Sequence, residues 1–125
     1  MGLFDSLFGA PPTSSLAQLQ TLEALDIALE ESAVHPVLLY KHSSACGTSF
    51  FSRREVESLS EVHSGPIYEI VVQVARPVSN KISGLFGIRH ETPQVIVVSK
   101  GKAVYHRSHG AIRSDDMARA LSSAT

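Results

Sequence analysis

The sequence predicts an α/β domain in which a central mixed sheet of four strands is flanked by helices, one of them an extra N-terminal helix. Three observations carry this. Short apolar runs of strand length, residues 37–40, 67–74 and 94–99, alternate with segments whose apolar residues recur every three or four positions. A glycine turn, Lys100-Gly101-Lys102, joins the last run to a fourth, Ala103 to Ser108, as a hairpin. The chain has 125 residues, 43% of them apolar, and a chain of this size buries about two-thirds of its surface on folding.

In chain order, Met1 to Gly9 carries Leu3, Phe4, Leu7 and Phe8 on one face of a short terminal helix, which Pro11-Pro12 ends. The segment also meets the Met1-Gly2-x-x-x-Ser6 pattern for myristoylation, a short pattern that arises by chance. Residues 1–13 read as an extension and 14–125 as a single domain. Leu16, Leu19, Leu22, Leu25 and Leu29 predict an amphipathic helix over 15–31, with Thr13-Ser14-Ser15 as capping residues. His35-Pro36 breaks it, and Val37 to Tyr40 is apolar enough to be a strand covered on both faces. A polar stretch from Lys41 to Ser49 leads into a helix running to about Val62, and Ser64-Gly65-Pro66 turns into the second strand. Val78, Ile82, Leu85 and Phe86 predict a third helix, with Pro77 in its first turn and Gly87 at its end. After the hairpin, Ser114-Asp115-Asp116 is expected to cap a last helix carrying Met117, Ala120 and Leu121. The two strands joined through a helix are expected to be parallel, and the hairpin antiparallel.

Composition narrows the function. Eleven basic against twelve acidic residues leave a net charge of −1, unlike a polyanion binder, so nucleic acid is not an expected partner. No apolar run approaches the roughly 20 residues of a membrane helix, and the start lacks the features of a secretory signal, so no membrane span and a cytoplasmic location are expected. One cysteine excludes an internal disulfide, a two-cysteine redox motif and any multi-cysteine metal cage within one chain.

That cysteine, Cys46, follows a buried strand and stands where the next helix begins. Unpaired N–H groups and the helix dipole favour thiolate there, and thiolate is the nucleophile of disulfide exchange. A free cysteine is also commonly a small buried residue, but Ser43, Ser44, Ala45, Gly47, Thr48 and Ser49 build no apolar pocket around it. Cys46-Gly47-Thr48-Ser49 is a C-x-x-S unit. The serine can donate a hydrogen bond to sulfur but cannot resolve a mixed disulfide, so any exchange is monothiol, with an outside thiol completing it. His42, four residues earlier, either stabilises the thiolate or is a solvated strand-end residue, the simpler reading. Cys46 and His42 have no further ligands at a known spacing, so no metal is expected.

Four stretches carry a resemblance, and two of them, Arg76 to Asn80 and Gly87 to Gln94, are more specific than the cysteine motif. His42-Ser43-Ser44-Ala45-Cys46, Arg76-Pro77-Val78-Ser79-Asn80, Phe86 to Gln94 with Thr92-Pro93, and Gly101-Lys102-Ala103-Val104-Tyr105 resemble the YtxJ family, the monothiol bacilliredoxins, over about residues 35–121. The resemblance implies a thioredoxin-like fold, a cis Pro93, and a Cys46 that removes bacillithiol from protein mixed disulfides. It implies no tightly bound cofactor; bacillithiol is the thiol cosubstrate and bacillithiolated proteins are the clients. On this reading Cys46 is catalytic, and Gly47, Thr48, Ser49, Thr92 and Pro93 bind substrate. Gly47 and Thr48 offer N–H groups, Ser49 a hydroxyl, and Thr92 its backbone to an extended segment. His90 and His109 share the rim with Pro93, within reach of the malate carboxylates of bacillithiol. The family usually has Cys-Pro-x-Ser; here Gly47 replaces the proline, which predicts a looser first turn. Two other readings stay open at this point: an iron–sulfur carrier like the monothiol glutaredoxins, and a thioredoxin-like interaction module without redox chemistry.

Overall fold

The computed structural model describes residues 14–125; the expectations for residues 1–13 lie outside the described residues. The elements are β1 (Ala17–Gln18), α1 (Leu22–Glu31), β2 (Val37–His42), α2 (Thr48–Val62), β3 (Ile67–Val71), α3 (Arg76–Phe86), β4 (Gln94–Ser99), β5 (Lys102–Ser108), a 3₁₀ turn (His109–Ala111) and α4 (Ser114–Ser123). Among the described residues, five strands form one sheet in the order β1-β3-β2-β4-β5. β3 runs parallel to β1 and β2, while β4 is antiparallel to both β2 and β5.

The sheet is the middle of three layers because β2 is buried along its whole length. Its residues alternate between faces. Leu38 and Tyr40 join Val56, Leu59, Met117 and Leu121 on the side of α2 and α4. Val37 and Leu39 join Leu25, Ala28, Val78 and Ile82 on the side of α1 and α3.

Four sequence expectations are corrected. The sheet has five strands, not four, and the helix expected over 15–31 begins only at Leu22. Thr21 caps it, its hydroxyl accepting the Ala24 N–H at 3.0 Å. Leu16 and Leu19 fit helical spacing, yet they lie three apart on extended chain and enter the cores on opposite sides of the sheet. Pairing with β3 decides this: Ala17 aligns with Tyr68, Gln18 with Glu69, and the Leu19 N–H donates to the Glu69 carbonyl at 2.9 Å. The second strand stops at Val71, short of Val74, because the Val71 carbonyl accepts the N–H groups of Val74 and Ala75 in a turn. Ser114 is the first helical residue of α4 rather than its cap. Glu55 of α2 accepts its N–H at 2.8 Å, so an orphan donor of α4 is satisfied from a neighbouring helix.

The hairpin turns on Lys100 and Gly101, with φ of 52° and 75°. Left-handed geometry at both central residues matches the twist of the strands. The turn is tied to the end of α1: Lys100 N–H donates to the Ser32 carbonyl at 2.7 Å and Gly101 N–H to the Ser32 hydroxyl at 3.0 Å.

Candidate active site

The antiparallel register aligns Lys41 near the end of β2 with Gln94 at the start of β4. The loop after β2, which carries Cys46, and the turn before β4, which carries Thr92-Pro93, therefore leave the sheet at the same edge. Sequence distance hides this; the sheet creates it.

The loop is held by side chains. The Ser43 hydroxyl accepts the Ala45 N–H at 3.3 Å and a proton of the Gln73 amide at 2.9 Å, and the Gln73 carbonyl oxygen accepts the Ser44 N–H at 3.2 Å. The Ser49 N–H bonds to the Cys46 carbonyl at 3.1 Å, and the Phe50 N–H to the Gly47 carbonyl at 3.2 Å, so α2 winds directly out of the cysteine. Gly47 lies at φ −60° and ψ −35°. That φ is the one a proline ring imposes, so glycine is not here for its conformational freedom.

Cys46 is a free cysteine, partly exposed rather than sealed in the core. Its Sγ lies 3.0 Å from the Thr48 hydroxyl. The thiol pKa is lowered, chiefly by that hydroxyl, against a smaller desolvation effect, and further by the N–H groups of Thr48 and Ser49 and the Ser49 hydroxyl. The Ser49 oxygen accepts the Ser43 N–H at 3.3 Å, which leaves its proton for the sulfur. Thr48 was expected to offer a backbone group; its side chain turns out to be the larger influence.

Beneath this turn lies a buried polar cluster. The Tyr40 hydroxyl donates to the Ser49 carbonyl at 2.9 Å and lies 2.9 Å from His42 Nδ1. Glu69 is fully buried, held by Arg53 Nε at 2.8 Å and Gln18 Nε2 at 2.6 Å, with His42 Nδ1 at 3.8 Å. His42 is thus buried, not the solvated residue expected, because β2 continues two residues beyond the predicted strand and draws it inward. Burial and then the Arg53 charge lower its pKa while Glu69 opposes them, which keeps the ring neutral. Its ring meets Phe50 edge-on at 5.7 Å.

The other two histidines divide. His90 Nδ1 faces Lys41 Nζ at 3.2 Å and the Ser79 hydroxyl at 3.3 Å. Burial first, then the Lys41 and Arg76 charges, lower its pKa; the residue is exposed and hydrogen-bonds on the α3 side. His109 follows β5, its N–H donating to the Pro93 carbonyl at 3.0 Å and its Nε2 lying 3.1 Å from Glu91. It lines a groove with Thr48, Phe51, Arg54 and Arg113. The Thr92-Pro93 bond is cis, and among the described residues no group bonds to the backbone N–H or C=O of Thr92.

A partly exposed, thiolate-favouring cysteine at the start of a helix, at the sheet edge it shares with a cis Thr-Pro turn, is the setting of thiol–disulfide chemistry on a thioredoxin fold. The sequence pattern described as monothiol bacilliredoxin BrxC matches residues 17–117. The chain belongs to the monothiol bacilliredoxin family.

Solved structures agree on the architecture. A candidate oxidoreductase with a thioredoxin fold superposes with a TM-score of 0.78 at 26% identity, covering 84% of this chain and 92% of that one. Fasciola hepatica thioredoxin gives 0.70 at 16% identity over 88% of this chain and 100% of its own. Schistosoma mansoni thioredoxin gives 0.72 at 17% over 90% and 100%. The two thioredoxins bear on fold alone. No helix among the described residues is long and apolar enough to cross a membrane.

Sequence reasoning missed Tyr40, Gln73, Phe51, Arg54 and Arg113 around the site. Tyr40 read as an ordinary strand residue, Gln73 and Arg113 meet partners distant in sequence, and Phe51 and Arg54 read as ordinary surface positions of a helix. Only the apolar spacing of α2, which leaves Phe51 and Arg54 off the core face, hinted at any of them.

Proposed function

We propose that this bacilliredoxin-family protein removes bacillithiol from protein mixed disulfides through Cys46. The observation that carries the reading is the Thr48 hydroxyl 3.0 Å from a partly exposed sulfur, in a turn that lowers the thiol pKa. The Cys46 thiolate attacks the bacillithiol sulfur of a protein–S–S–bacillithiol disulfide. A Cys46–bacillithiol disulfide forms, and the client leaves as its thiolate. A second bacillithiol thiolate then attacks that disulfide, releasing oxidised bacillithiol and returning Cys46 as thiolate. No sulfur is oxidised beyond disulfide, and each exchange conserves electrons. Gly47, Thr48 and Ser49 hold the sulfur, while the free backbone groups of Thr92 beside Pro93 accept an extended client segment. The absence of a second cysteine makes an outside thiol obligatory.

The reading is tested with a client protein carrying one bacillithiol adduct. The protein releases the client thiol and gains the mass of one bacillithiol, and Cys46→Ser does neither. Release of the client by the serine variant refutes the assignment.

A further inference from the structure

The groove that begins at Thr48 is not used by the exchange step. It lies between α2 and the turn 109–113 that leads into α4, with a volume of about 460 Å³, within the range of about 300–1,000 Å³ typical of small-ligand sites. Phe51, Arg54 and Glu55 lie three and four residues apart, hence on one face of α2, and Arg113 closes the groove from the opposite side. Phe51 is 70% exposed, an aromatic face that none of the described residues covers. Arg54 has no ion pair among the described residues, and Arg113 is held only loosely by Glu55, Nε to Oε1 at 3.8 Å. Glu55, the carboxylate lining the groove, accepts the Ser114 N–H at 2.8 Å. Glu91 faces His109 and Asp116 pairs with Arg119, while Asp115 and Asp116 flank Arg113 on its far side, outside the groove. The groove therefore offers two arginines and an apolar plate, starting at the hydroxyl that touches the reactive sulfur. From Thr48 to Arg54 the helix rises about 9 Å.

We propose that this groove is the subsite for the sugar and dicarboxylate end of the thiol cosubstrate. Arg54 and Arg113 pair with the two malyl carboxylates of bacillithiol, and Phe51 lies against the C–H face of its glucosamine ring. The assignment rests on the redox reading above and deepens it, because it names what distinguishes bacillithiol from any other small thiol. In bacillithiol the thiol and the carboxylates are at opposite ends of the molecule with the sugar between, the same order in which the groove presents Thr48, Phe51 and the arginines. Guanidinium forks bind carboxylates bidentately, and the electron-rich face of an aromatic ring attracts the polarised C–H bonds of a sugar.

The test compares two adducts on one client protein: bacillithiol, and the methyl glycoside of cysteinyl-glucosamine, which keeps the thiol and sugar and lacks the malate. The readout is the ratio of the rate constants with which Cys46 removes them. At low ionic strength the ratio is expected near tenfold in favour of bacillithiol. It falls about threefold in Arg54→Gln and again in Arg113→Gln, reaches about one in the double variant, and shrinks with added salt in the parent. A parent ratio near one, or a ratio that survives the double substitution in a protein with an unchanged melting temperature, overturns the groove assignment while leaving the redox reading standing. Failure to remove either adduct overturns both.

Discussion

Lys41 offers the sharpest energetic test. It is 1% exposed on β2; its Nζ donates to the Ser83 hydroxyl at 2.8 Å and to His90 Nδ1 at 3.2 Å, with no carboxylate partner among the described residues. Burial lowers its pKa from 10.5 to about 8. The folded state therefore resists the proton. Between pH 8 and 10.5 the unfolded chain binds more protons than the folded one, so stability rises with pH across that window. Below pH 8 the buried ammonium carries its full cost. The change from 10.5 to about 8 corresponds to about 3 kcal/mol, and local relaxation around the charge reduces it to about 1–3 kcal/mol. Lys41→Met removes the charge and keeps the volume, while leaving Ser83 and His90 without a donor at a cost of about 1 kcal/mol. A net gain of about 0–2 kcal/mol at pH 7 is expected, shrinking to zero or below near pH 10. Urea unfolding at pH 7, 8, 9 and 10 measures it, with Cys46→Ser as the common background, because a thiol lowered by folding contributes a slope of the same sign. The series stops at pH 10, where Tyr40, whose pKa burial raises, begins to contribute a slope of opposite sign. Parallel stability curves for the two proteins between pH 8 and 10, or a Lys41→Met variant less stable at pH 7, refute the argument.

Three further outcomes follow from the site. Tyr40→Phe strips a donor from the Ser49 carbonyl and a partner from buried His42; about 1–3 kcal/mol of stability is lost, read as a lower urea midpoint at unchanged slope. Thr48→Val removes the hydroxyl 3.0 Å from Sγ, so the thiolate absorbance titrates at higher pH. Exchange at neutral pH slows, and the gap to the parent closes as pH rises past the variant's midpoint; an unmoved titration contradicts the role given to Thr48. Gly47→Pro restores the usual family residue at a position already at φ −60°, where an added Cβ meets nothing within 4 Å and no backbone N–H bond is lost. A gain of about 0.4–1 kcal/mol is expected in thermal unfolding, and a loss counts against the backbone argument.

Much of this protein is local information. The strands β2, β3 and β4 are legible because a strand covered on both faces must be apolar throughout, as Val37 to Tyr40 and Val95 to Val98 are. Cys46, Thr48 and Ser49 are legible because a helix start acts on the few residues beside it. The family match and the cis Thr92-Pro93 bond accord with the motifs that carried the resemblance. The tertiary structure decided the rest. β1 is two residues held by backbone bonds to β3, and backbone bonds leave no side-chain pattern, so leucines at helical spacing misread as helix. His42 is buried where Tyr40, Glu69 and Arg53 meet from three elements, and burial and then the Arg53 charge lower its pKa against the pull of Glu69. The groove beside the thiol exists only because α2 packs against the turn before α4, which brings Arg54 and Arg113 together. Helix and strand periods describe what a residue does to its neighbours a few positions away; a charge or hydroxyl that meets its partner across the sheet obeys only the packing, and no spacing in the chain encodes that.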